Sequence, residues 1–129
     1  MESSKYDVHG HLKHGVVKEY YKDGRLSSVG RYSKGKKTGL WKFYLRNGQL
    51  RATGKYVDDK ISGYWKWYRE NGELMQEGCF GEDEQKTGLW KRYHPNGRLY
   101  DEGGYLKNKK SGEWKVYDVD GRLEKTVVY

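Results

Sequence analysis

Three histidines in the stretch HGHLKH, His9, His11 and His14, are the one group of side chains in this 129-residue chain whose types suit a metal ion. His9 and His11 alternate and would share one face of a strand, but His14 brings no fourth ligand, so the stretch reads as a polar N-terminal segment. The single cysteine, Cys79, excludes an intramolecular disulfide and fits a reducing compartment. No histidine or acid is placed beside it to make a thiolate nucleophile. Ser-His-Asp spacing, a phosphate-cradling glycine loop and paired carboxylates are all missing, because the acids scatter into turns. These observations argue for a protein that binds rather than catalyses, with no catalytic residue, metal or cofactor.

Binding chemistry is abundant by contrast. The chain carries 26 Lys and Arg against 18 Asp and Glu, a formal net charge of +8, together with 13 Tyr, 5 Trp and 2 Phe. Such a balance points to an acidic protein surface, a nucleic acid or an anionic membrane. A lysine follows four of the five tryptophans, at Lys42, Lys66, Lys91 and Lys115, and a tyrosine stands two positions later at Tyr44, Tyr68, Tyr93 and Tyr117. Trp67 is an additional ring where the equivalent positions hold Glu19, Phe43, Arg92 and Val116. Tryptophan, tyrosine and arginine dominate interface hot spots. The candidate partner-binding set is therefore Lys42, Tyr44, Lys66, Trp67, Tyr68, Arg69, Lys91, Arg92, Tyr93 and Lys115.

The spacing of these residues comes from an internal repeat. GLWKFYLRNGQL at 39–50 returns as GLWKRYHPNGRL at 88–99, and blocks of about 24 residues begin at Gly15, Gly39, Gly63, Gly88 and Gly112. Each block holds an Asx-Gly pair (Asp23-Gly24, Asn47-Gly48, Asn71-Gly72, Asn96-Gly97, Asp120-Gly121) between runs rich in aromatic residues, which is the strongest short-range hairpin signal. Pro95 suits the first corner of a type I turn. A second turn is expected where Gly35, Asp59, Asp83 and Asn108 align, and one residue inserted within 81–87 lengthens that loop.

Two strands per block predict an all-β fold: an elongated antiparallel sheet of about ten strands, roughly 50 Å across. Helix is excluded by the glycine and Asx-Gly content and by the lack of a 3.6-residue period. Only 34% of residues are hydrophobic and the mean hydropathy is -1.17, so the rings must substitute for an aliphatic core. A twisted single layer with ring ladders on a concave face is expected. Trp41 and Tyr44, three apart, should point to opposite faces unless a bulge intervenes. Residues 1–14 read as an N-terminal segment with one capping strand, and 15–129 as one repeat domain divided at 15–38, 39–62, 63–87, 88–111 and 112–129.

The unit G-x-W-K-x-Y-x-x-N/D-G-x-L resembles the MORN-repeat variant of bacterial proteins, among them YwqK-type antitoxins that neutralise a toxin encoded beside them. The resemblance covers about residues 15–129. Val17 in the first block and Val127 in the last depart from the pattern, as end blocks do. The resemblance implies a non-enzymatic protein-binding repeat protein, of antitoxin or immunity type, that sterically blocks a toxin or effector enzyme with an acidic surface. Two other readings stay open: a nucleic-acid-binding module using the lysines and exposed rings, and a scaffold or membrane-surface adaptor. Pairing of the terminal strands into an end-to-end homodimer also stays open. No signal-like or membrane-spanning stretch is present, and the expected location is the cytoplasm.

Overall fold

The computed structural model describes residues 4–129. Ten strands follow one another in a single antiparallel sheet whose spatial order is the chain order: β1 (Gly15–Tyr20), β2 (Leu26–Ser33), β3 (Lys36–Tyr44), β4 (Leu50–Val57), β5 (Lys60–Tyr68), β6 (Leu74–Phe80), β7 (Lys86–Tyr93), β8 (Leu99–Leu106), β9 (Lys109–Tyr117) and β10 (Leu123–Val128). The expected five-hairpin meander is what the chain builds. The one helical turn among the described residues, Glu82–Glu84, lies in the loop lengthened by the inserted residue.

Turn chemistry explains the meander. Within each repeat the Asx-Gly pair closes a type I turn: the Gly24 N–H donates to the Tyr21 carbonyl at 2.9 Å and Gly24 sits at φ 89°. Between repeats the turns change hand, with both central residues at positive φ (Asp58 47° and Asp59 71°; Lys107 47° and Asn108 70°), as a two-residue type I′ hairpin requires. These tips also tie one repeat to its predecessor. Asp59 donates its N–H to the Lys37 carbonyl and accepts the Lys37 N–H on its carboxylate, and Asn108 does likewise with Lys86 through its side-chain amide oxygen. In the lengthened loop Glu84 reaches further and accepts the Ile61 N–H.

In the last repeat the Asp118 carboxylate accepts the N–H groups of Arg122 (3.0 Å) and Asp120 (2.9 Å), and these bonds hold its pKa below the ordinary carboxylate value. A depressed folded-state pKa contributes stability above the unfolded value, about 3.9, that is lost as pH falls through the folded value. The protection factor of the Arg122 amide should therefore fall as the pH drops below about 4, and Asp118→Ala, which removes the acceptor, should lower it at neutral pH.

Before β1, Tyr6 and Leu12 form a single bridge and Gly35 donates to the Lys13 carbonyl. Among the described residues the segment contributes no strand, only a short turn docked on the first inter-repeat tip; residues 1–3 of the expected N-terminal segment lie outside the described residues.

The core is a row of indoles on one face. Trp41, Trp65, Trp90 and Trp114 are 1–3% exposed although the sheet has no second layer among the described residues. Each lies flat on a glycine of the preceding strand (Gly30, Gly54, Gly78, Gly103), close enough that a Cβ there would sit 2.0–2.2 Å from the indole. Each indole N–H donates to a carbonyl beside that glycine, as Trp65 does to Lys55 at 3.1 Å. The pairing register skips these glycines, so a bulge on the following strand tips the ring down onto the bare backbone. Val127 takes the glycine position in the last repeat, where it pairs with Trp114.

Candidate binding surface

Side-chain alternation divides the residues between two faces. On the ring face, Tyr32, Tyr56, Phe80, Tyr105 and Tyr129 meet the indoles edge-on at centroid distances of 5.2–6.3 Å. Phe43 stacks between Trp41 and Trp65 (6.0 and 6.3 Å), and Trp67 between Trp65 and Trp90 (6.0 and 5.8 Å). Trp67 is thus part of the ring stack. Arg92 occupies the next equivalent position on the same face. There it forms a two-pronged ion pair with the buried Asp101 (Nε–Oδ1 3.0 Å, Nη2–Oδ2 2.6 Å) that holds its guanidinium more firmly protonated.

Lys42, Tyr44, Lys66, Tyr68, Lys91, Tyr93 and Lys115 lie on the opposite face. A bulge opposite Phe43–Tyr44 is present and both faces carry rings, so both alternatives raised by the Trp41–Tyr44 spacing occur together. Arg69 belongs to neither face. It sits at a hairpin tip, where its Nη2 donates to the Tyr93 carbonyl at 2.9 Å and clips adjacent repeats together. The candidate set therefore does not form one surface: Trp67 and Arg92 are turned away from the lysines because an odd separation along a strand reverses the face.

The lysine row is also uneven. Register places Val29 between Lys18 and Lys42, Thr53 between Lys42 and Lys66, Glu77 between Lys66 and Lys91, and Glu102 between Lys91 and Lys115. Across β6–β9 the positive charge is matched by carboxylates. Tyr93 donates its hydroxyl to Glu77, and burial together with this bond raises its pKa; Tyr117 donates to Glu102 at 2.8 Å, and that bond raises its own.

Across β1–β5, among the described residues, no carboxylate lies on this face. A second row there pairs Val16 with Arg31 and Leu40 with Lys55, and continues to Tyr64. Val16, Leu40 and Tyr64 are 62%, 62% and 48% exposed, and the Lys66 ammonium stands 5.7 Å from the Tyr64 ring centre. Five cations (Lys18, Arg31, Lys42, Lys55, Lys66) thus surround three exposed apolar side chains. Sequence reasoning singled out Lys42 and Lys66 and missed Val16, Leu40, Tyr64, Arg31 and Lys55, although their step of about 24 residues was readable.

A second lysine row was likewise missed. Lys37, Lys86 and Lys110 lie on the ring face, each within 4.6–5.3 Å of a Trp and a Tyr ring, while Ile61 takes the equivalent place in the third repeat. Among the other candidates, the His9 and His11 rings are 6.5 Å apart and His14 Nδ1 accepts the Lys34 N–H. Among the described residues no three or more His, Cys, Asp or Glu side chains gather as a metal site. Cys79 is half-buried and its carbonyl serves the Trp90 indole.

A single meandering sheet, indoles folded onto glycines and chemically distinct faces define a tandem β-hairpin repeat module. The chain belongs to the MORN repeat variant family, which matches residues 13–34, 37–58, 62–81 and 86–108. Among solved structures it is similar to a point mutant of S. aureus TarM in complex with Fondaparinux, alpha-GlcNAc-glycerol and UDP (14% identity, TM-score 0.48, over 86% of this chain and 20% of that one). A second TarM structure is similar at 14% identity and TM-score 0.47, over 74% of this chain and 19% of that one. The chain thus spans about a fifth of the length of the structures it matches. No curated protein matches the sequence. No helix among the described residues is long and apolar enough to cross a membrane.

Proposed function

We propose that this protein is a non-enzymatic, cytoplasmic binding module that docks an acidic protein surface on the lysine face of β1–β5. In its narrowest form the proposal is an antitoxin- or immunity-type inhibitor that covers a toxin or effector enzyme. The observation that carries it is the patch of Lys18, Arg31, Lys42, Lys55 and Lys66 around Val16, Leu40 and Tyr64, which has no carboxylate of its own and meets one, Glu77, only at its Lys66 edge. Apolar anchors inside a ring of charge combine a desolvated centre with electrostatic steering, the division of labour found in specific protein interfaces.

The test is co-expression with the products of the reading frames flanking its gene, followed by size-exclusion chromatography and an assay of each product's activity. A stoichiometric complex that suppresses the activity is expected. In that complex Lys42→Glu/Lys66→Glu should weaken binding at least about tenfold, with a reduced salt dependence. Lys91→Glu, placed between Glu77 and Glu102, should have a smaller effect. Equal losses from both variants would remove β1–β5 as the docking site. Failure of every flanking product to bind would remove the inhibitor reading.

A further inference from the structure

The ring stack is interrupted at one point. Phe43 stacks between the first two indoles and Trp67 between the next two, but between Trp90 and Trp114 no ring stacks among the described residues, and only Tyr105 meets both, edge-on at 5.7 and 5.3 Å. Arg92, which register places there, is drawn aside by Asp101, and its guanidinium carbon lies 5.1 Å from the Tyr100 ring centre. What is left is a cavity of about 140 Å³ lined by Trp90, Trp114, Tyr105, Gln76 and the cations Lys86, Arg92 and Lys110. A cavity of about 150 Å³ is enough to hold a benzene ring.

The charges around this slot are one-sided. Lys86 stands 4.7 Å from the Trp90 ring centre and Lys110 4.6 Å from that of Trp114, one cation against each wall. Among the described residues neither lysine forms an ion pair, no carboxylate lines the slot, and Asp101 is held by Arg92.

We propose that the slot between Trp90 and Trp114 binds a planar aromatic ring with an oxyanion attached to it or on a residue beside it, the ring stacking where the other repeats place Phe43 or Trp67 and the oxyanion meeting Lys86 and Lys110. The ring belongs either to a free aromatic phosphate or carboxylate, or to a tyrosine flanked by acids in a partner chain. The slot lies on the face opposite the lysine patch, so it stands or falls independently of the proposed docking surface.

Calorimetric titration of the full chain tests the assignment, with phenyl phosphate, cyclohexyl phosphate and a capped Asp-Tyr-Asp peptide as probes. Phenyl phosphate or the peptide should bind at least about tenfold tighter than cyclohexyl phosphate, the discrimination one stacked ring supplies. Binding of phenyl phosphate alone assigns a free small molecule, and binding of the peptide assigns a partner's side chain. Arg92→Phe/Asp101→Ala reproduces the Phe43–Ala52 pairing of the second repeat, should fill the slot, and should abolish binding without lowering the melting temperature. Lys86→Gln/Lys110→Gln should weaken binding about tenfold while leaving the rings in place. Equal affinity for the aromatic and cyclohexyl probes, silence from both aromatic probes, or undiminished binding by the filled variant would overturn the proposal.

Discussion

Gly54→Ala is expected to destabilise the protein by about 3 kcal/mol or more, although it adds one methyl group to a half-apolar sheet. The added carbon would lie 2.0 Å from Trp65 Cδ2 and 2.2 Å from Cε2, inside the ring's van der Waals envelope. Relief requires the indole to lift, which stretches its bond to the Lys55 carbonyl (3.1 Å) and separates it from Phe43, Tyr56 and Trp67. Lost hydrogen bonding adds about 1 kcal/mol.

Gly39→Ala supplies the comparison. Gly39 has φ 68° but nothing within 4 Å of an added Cβ, so only the left-handed backbone opposes the change, at about 1–2 kcal/mol. Urea denaturation of both variants measures the difference. Equal losses at the two sites would show that the ring-on-glycine contact does not hold the repeats together.

Trp65→Ala is expected to cost about 3–5 kcal/mol, the range for deleting a buried indole. Trp65 is 3% exposed, stacks on Phe43 and Trp67, and meets Tyr56 edge-on. In an array where each repeat touches only its neighbours, removing a central ring uncouples the two sides. Hydrogen exchange should then show β1–β4 opening separately from β6–β10, whereas the parent chain protects them together. Trp114→Ala should cost less, because among the described residues the only rings that touch Trp114 are the edge-on Tyr105 and Tyr129, and it has no stacked ring partner. An equal loss, or retained cooperativity in Trp65→Ala, would contradict the stack as the coupling element.

A protein of this size has about 5–15 kcal/mol of total stability, so either central substitution removes a large share of it. Yet both are small local changes. Their weight follows from a sheet with no second layer, in which the indoles and the backbone beneath them are the interior.

The hairpins, their order and both turn positions were legible in the primary structure because they depend on local chemistry. Asx-Gly pairs select the type I tips, Asp59 and Asn108 tolerate the positive φ of the type I′ tips, and the 24-residue step aligns them. The candidate surface was legible only in part. Spacing identified the lysine that recurs after the tryptophan of each repeat unit, but the mate of Lys66 on one side is Thr53 and on the other Glu77, a contrast that depends on strand register. That cross-strand pairing makes β1–β5 uniformly basic and β6–β9 balanced.

Sequence alone determined that five units repeat, that rings replace aliphatic residues, and that the turns fall where they do, because each depends on residues adjacent along the chain. Only the tertiary structure decided that Glu77 and Glu102 pair with the lysines of β5–β9, that glycines serve as seats for indoles one strand on, and that the third ring slot is open. Those outcomes require bulges and registers between strands, and the distance between two indoles in space cannot be read from the 24 residues that separate them in the chain.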